Sequence, residues 1–246
     1  MAPVTESFAS AKVTATALTL TLGPASVVFT GRRQGDLRPP ISDVGIFRGN
    51  AERAGEVGHR QRAVVDHPWA WMRQVHGCDV VNLDEPSHQI GEVGDAGVAT
   101  VAGLALAVFT ADCVPVVFAS PEGVIAVAHA GWSGLLAGVV GQTVTAMRMR
   151  GASTIDVAIG PCIRPRCYEF GSGPLALMVD RFGPTVSSLT AAGVEALDLP
   201  ACAKIALREA GVLQITDVEV CTACSADYYS WRVGRNQERQ AAVIWR

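Results

Sequence analysis

Lysine is almost missing from this chain: Lys12 and Lys204 are the only two among 246 residues, and charged residues of all kinds make up 17%. The arginines are scattered rather than clustered, and the formal net charge is −3. That balance excludes the basic stripe of a nucleic-acid-binding protein and the polybasic patch that grips anionic lipid. No apolar run approaches the ~18 residues needed to cross a bilayer, which excludes a spanning helix. An early basic cluster is also lacking, and Val13 to Leu20 alternates like a strand, so a signal peptide is disfavoured and a cytoplasmic protein is expected. No internal repeat, low-complexity linker or break in composition divides the chain, so a single domain over residues 1–246 is expected. Apolar residues reach 49%, enough for a substantial core and too many for a disordered chain. The seven cysteines are an odd number in a long chain, which reads as reduced thiols serving as core fillers, ligands or nucleophiles.

The elements expected from pattern are short strands and a few helices. Residues 13–30 read as two strands broken at Gly23-Pro24, and 31–50 as a loop rich in Gly, Arg and Pro. Residues 51–65 fit a helix despite Gly55 and Gly58. A strand is expected within 74–83, carrying Gln74-Val75-His76-Gly77, followed by a polar loop to Asp95 and a strand-rich block over 98–129. Within that block, 104–110, 114–119 and 124–129 are apolar strands, with Ser120-Pro121-Glu122-Gly123 as a hairpin turn. Helical spacing follows over 135–150, then a strand at 155–159, helices at 174–182 and 198–211 (Asp198 as N-cap, Gly211 as C-cap), and strands at 215–221 and 240–245. Strands over 104–129 follow one another too closely for helical crossovers. The expected class is therefore α+β, a mixed β-sheet sandwich flanked by helices, rather than a parallel doubly wound fold.

Three residues able to bind a soft metal lie in separate motifs: His76 in Q-V-H-G, Cys113 in T-A-D-C-V-P and His129 in A-H-A-G-W. Two imidazoles and a thiolate are three of the four ligands of tetrahedral zinc, with the fourth position left to water or substrate, as in catalytic sites. A turn over 120–123 puts Cys113 and His129 opposite each other within one residue of slip, close enough to share an ion or to form a thiolate–imidazole pair. His129 also ends a strand where a glycine-flanked turn feeds a helix, a common place for catalytic groups.

At these motifs the chain resembles the YfiH-type family, long described as multicopper polyphenol oxidase or laccase-domain proteins and now regarded as purine nucleoside phosphorylases with adenosine deaminase and methylthioadenosine phosphorylase activities. The resemblance runs from about Trp71 to Trp245 and rests on M-R-Q-V-H-G, D-A-G-V-A-T, F-T-A-D-C-V-P-V, V-A-H-A-G-W, I-G-P-C-I-R-P-R-C-Y-E-F-G, C-T and Y-Y-S-W-R in that order. It implies an α+β mixed-sheet sandwich, a purine nucleoside and phosphate as small-molecule partners, and His76, Cys113 and His129 as metal ligands, with zinc first and copper second. Arg32, Asp112 and Arg232 are candidate substrate-binding residues, and Asp112 could equally orient an imidazole or metal-bound water or stabilise its turn. The chain departs from the pattern at Ser133 and Val233, where the family carries arginine. Arginine is the natural clamp for phosphate, so deamination is expected to persist while phosphorolysis weakens.

Rival readings use the same residues. Cys113 could be a metal-free nucleophile activated by His129, as in Cys–His hydrolases and amidases, or the chain could be a degenerate member that binds nucleoside without turnover. Cys162, Cys167, Cys221 and Cys224 have spacings compatible with a Cys₄ structural zinc site or with buried thiols. Tyr228, Tyr229 and Trp231 either stack on a purine or fill core. A blue multicopper oxidase needs far more imidazoles than the five available here.

Overall fold

The computed structural model describes residues 12–14, 17–40, 51–86 and 92–246. Its frame is two six-stranded mixed sheets packed face to face. The first runs, in spatial order, β1 (Lys12–Thr14), β2 (Ala17–Leu22), β3 (Ala25–Thr30), β14 (Gln240–Trp245), β7 (Ala105–Thr110) and β4 (Trp69–Trp71). The second runs β13 (Gln214–Asp217), β10 (Asp156–Ile159), β8 (Val114–Ala119), β9 (Ile125–Ala130), β6 (Ala96–Ala99) and β5 (Val80–Asn82), while β11 (Ser187–Leu189) and β12 (Glu195–Leu197) form a separate hairpin. Pairing is parallel at β4–β7, β5–β6 and β10–β13 and antiparallel elsewhere, so the sandwich is mixed as expected.

Period-two alternation sorts the strand residues between layers. From β8, Val117 and Ala119 meet Val27, Leu106, Val108 and Ile244 between the sheets. Val114, Val116 and Phe118 point the other way, onto α2 (Trp132–Ala137), α3 (Val139–Met149), α4 (Ser172–Phe182) and α5 (Leu199–Glu209). All five of these β8 side chains are fully buried, and each large one contributes about 1.5–3 kcal/mol. The outer face of the first sheet is closed by Leu37 and by Val64 and Val65 at the end of α1 (Ala51–Val64). Asp198 caps α5 by accepting from the Ala201 amide, and Gly211, at φ +80°, follows the helix end at Ala210. A short α6 (Trp231–Gly234) precedes β14.

Three expectations need correction. Residues 74–79 are not strand: only Val80–Asn82 pairs, and His76 sits in a turn at φ +62°. The helix expected over 135–150 is two helices, broken at Gly138 with φ +91°, since helical spacing continues across a residue whose backbone does not. In the β8–β9 hairpin Pro115, not Cys113, faces His129. That displacement is two residues, and an even slip preserves the face, so Cys113 still projects to the side of His129.

Candidate functional site

The site lies where the chain crosses from one sheet to the other. β7 belongs to the first sheet and β8 to the second, and the link Ala111-Asp112-Cys113 turns sharply through Asp112, which takes φ +98°. His129 comes from the end of β9, and His76 from the turn after β4. Their ligand atoms, with the Cys113 sulfur, all lie within 4.8 Å of one another. The two imidazoles meet edge to face with centroids 4.7 Å apart. His129 is buried, Cys113 half-buried and His76 exposed.

Small residues permit this convergence. A Cβ on Gly131 would lie 3.0 Å from His76 Cδ2 and 3.2 Å from Cys113 Sγ, and one on Gly134 would lie 2.8 Å from the Gly77 carbonyl. The glycines of A-H-A-G-W-S-G therefore allow the start of α2 to pack against the turn bearing His76. The glutamine of Q-V-H-G has a similar local purpose. Its amide pairs with the backbone of Phe109 in both directions, donating to the carbonyl and accepting from the amide at 2.8 Å each, which pins the turn to β7.

The central organiser is Asp95, which pattern reading passed over as the end of a polar loop. It is fully buried, and its carboxylate accepts from the amides of Val75 (3.0 Å), His76 (2.9 Å) and Gly77 (2.7 Å) and contacts His129 Nδ1 at 2.8 Å. One carboxylate thus shapes the His76 turn and engages Nδ1 of His129, leaving Nε2 for the cluster. The aspartate opening D-A-G-V-A-T, just ahead of a fully buried strand, is the signal that could have found it.

Electrostatics reinforce the arrangement. Burial alone would raise the Cys113 thiol, but the charge on His129 and hydrogen bonds from His129 and His76 bring it down to about 6. Burial would lower His129, yet the Cys113 thiolate and the Asp95 carboxylate hold it up at about 9. Each group therefore favours the charged form of the other, thiolate beside imidazolium. The donor set (one soft thiolate, two imidazoles, a carboxylate behind one of them) is the chemistry that zinc or copper selects, so the residues fit such an ion.

Around the cluster is a cavity of about 470 Å³, within the range of small-molecule sites. Three arginines line it, Arg38, Arg232 and Arg239, together with the aromatic residues Trp132, Tyr168 and Trp231. Neither Arg38 nor Arg239 was singled out from sequence. Arg232 lies over the Tyr168 ring at 4.8 Å and donates to the Glu169 carbonyl at 2.9 Å. Thr110, whose hydroxyl is buried without a partner among the described residues, also faces the cavity.

The remaining sequence candidates are placed as follows. Asp112 lines the cavity, but both its oxygens are engaged: one accepts from Thr222 Oγ1 at 2.7 Å, the other from Ser230 Oγ at 3.0 Å and the Arg232 amide at 2.7 Å. It therefore fastens the 222–232 loop over the site. Arg32 lies outside the cavity wall, donating to the Tyr228 carbonyl and to Asn236 at 2.8 Å each. Ser133 donates to the His76 carbonyl at 3.0 Å, and Val233 is exposed. Tyr228 and Tyr229 are buried, whereas Trp231 is 42% exposed at the cavity. Of the four cysteines considered together, Cys167, Cys221 and Cys224 converge, while Cys162 is fully buried in the helix-side core.

No described helix is long and apolar enough to cross a membrane. A protein of Streptomyces coelicolor named purine nucleoside phosphorylase is 43% identical over 71% of this chain and 74% of its own length. One from Streptomyces griseus with the same designation is 36% identical over 91% of this chain and 95% of its own. The crystal structure of YlmD from Geobacillus stearothermophilus superposes with a TM-score of 0.79 at 28% identity, covering 97% of this chain and 99% of that one. The model of the family described as multi-copper polyphenol oxidoreductase laccase matches residues 26–246, and the chain belongs to that family.

Proposed function

We propose that this protein is a metal-dependent, zinc-preferring enzyme of purine nucleosides, cleaving them with phosphate, deaminating adenosine, or both. The observation that carries this reading is the meeting of His76, Cys113 and His129 in a cavity with three arginines and an aromatic wall. Relatives named purine nucleoside phosphorylase support the substrate class. The laccase description fits poorly, because a type 1 copper with a trinuclear cluster consumes more imidazoles than this chain has, and His59 is exposed, away from the set.

His76, Cys113 and His129 would hold the ion. When bound, zinc supplies Lewis acidity that activates water near neutral pH. Asp95 keeps His129 in the tautomer that directs Nε2 inward and holds the His76 turn in place. Deamination replaces the purine amino group with oxygen from water and releases ammonia. Phosphorolysis transfers the ribose C1′ bond from base to phosphate. The second reaction needs an anion site, and Arg38, Arg232 and Arg239 supply it although Ser133 and Val233 do not. Burial first, and then repulsion from Arg38, lower the basicity of Arg239, and a bound anion would relieve that repulsion. Trp231, exposed at the cavity, offers a face for the purine.

A second reading has its own support: without metal, Cys113 is an activated thiolate beside His129, as a cysteine hydrolase requires. The deciding experiment combines elemental analysis with a screen of adenosine, inosine and methylthioadenosine, with and without phosphate. Cys113→Ala should remove both the bound metal and turnover. Activity that survives complete chelation favours the thiol enzyme, and metal retained in full by Cys113→Ala refutes the ligand assignment.

A further inference from the structure

We propose a second soft-metal site, formed by Cys167, Cys221 and Cys224, that staples together two loops of the cavity wall. The three sulfurs lie within 4.8 Å of one another, and no carboxylate or imidazole among the described residues joins them. Zinc–sulfur bonds of about 2.3 Å in a tetrahedron place sulfurs roughly 3.8 Å apart, so a small closure suffices. A set of thiolates alone selects zinc or copper(I) over hard cations.

The turns that carry the three cysteines are held side by side by the backbone. The two segments are already in register: Cys162 and Cys221 form a parallel bridge, with the Cys162 amide donating to Val220 and the Thr222 amide to Cys162. Cys167 closes the short 3₁₀ turn Pro165–Cys167, and Cys221 and Cys224 bracket the facing turn. Cys224 is exposed, which gives an ion direct access from solvent.

This position gives the ion a purpose. Tyr168, next to Cys167, lines the cavity, and Thr222, next to Cys221, donates to Asp112 beside Cys113. An ion joining the two turns therefore fixes the aromatic wall and the anchor of the Asp112 turn without touching substrate. The site is independent of His76, Cys113 and His129, so its fate does not depend on the function proposed above.

The test uses the full chain, purified under reducing conditions, stripped by chelation and reloaded with zinc alone. A His76→Ala/Cys113→Ala variant should still take up about one zinc per chain, and adding Cys224→Ser should weaken that uptake by about 10-fold or more. Cobalt loaded in place of zinc should show intense thiolate-to-metal charge-transfer bands in the His76→Ala/Cys113→Ala protein, diminished by Cys167→Ser. Cys224 is exposed, so its serine variant keeps the fold, which circular dichroism verifies. No zinc uptake by the His76→Ala/Cys113→Ala chain, or uptake unchanged by Cys224→Ser, overturns the proposal. So does a Cys221–Cys224 disulfide whose reduction yields no zinc binding.

Discussion

Asp95→Asn is the sharpest probe of how the site is held. The substitution conserves shape but replaces one carboxylate oxygen with an NH₂ group. In the native chain one oxygen accepts from Val75 and Gly77, the other from His76 and His129. With the NH₂ toward Val75 and Gly77, two part-buried amides face a donor; turned the other way, the His76 amide does, and His129 must present Nδ1 as an acceptor. An unsatisfied polar group costs about 1–3 kcal/mol, so the loss should be about 1–6 kcal/mol. In a chain of this size 1 kcal/mol moves Tm by about 2–4 °C, which puts the expected fall at roughly 2–24 °C. Zinc affinity, read by competition with a chromophoric chelator, should fall by about 10- to 100-fold because the imidazole behind the ion loses its orienting carboxylate. A variant that melts within a degree of the parent and binds zinc equally well would refute Asp95 as the organiser.

Three further outcomes follow from the same contacts. Arg38→Ala should raise KM for phosphate by about 10- to 150-fold, the worth of one charged hydrogen bond, while leaving adenosine deamination nearly unchanged; equal losses in both reactions would place Arg38 elsewhere in the mechanism. Gly131→Ala should displace His76 and Cys113 and lower metal occupancy, checked by elemental analysis, because its methyl would lie 3.0 Å from one and 3.2 Å from the other. Burial would raise the Asp217 carboxyl, but Arg164 (2.8 and 2.5 Å) and Lys204 (2.7 Å) hold it down at about 2 against an ordinary 3.8. Its folded pKa is depressed, so the contribution, about 2 kcal/mol, is present above pH 4 and disappears as pH falls toward 2. Asp217→Asn should therefore be less stable at pH 7 and lose less stability than the parent on acidification, as followed by denaturant unfolding.

The sequence alone determined the elements whose signal is local. Short apolar runs marked β7, β8 and β9, Ser120 to Gly123 marked the turn between the last two, and Asp198 marked the start of α5, because apolar runs, turn chemistry and capping act over a few residues. The three ligand candidates were legible for the same reason: each sits in a short motif of unusual chemistry. What the sequence did not show was how those motifs are held. His76 was read onto a strand because Gln74 to Leu83 is rich in strand formers, but a tertiary contact from Asp95, nineteen residues away, bends that segment into a turn. Arg38 and Arg239 are ordinary loop arginines until β14 pairs with β3 and brings the two ends of the chain to one cavity. Likewise four cysteines look equivalent in sequence, and only packing separates the buried Cys162 from the three that meet. Local period and chemistry specified the parts and the ligands. Long-range hydrogen bonds and strand pairing, invisible to any window of sequence, decided which of them face one another.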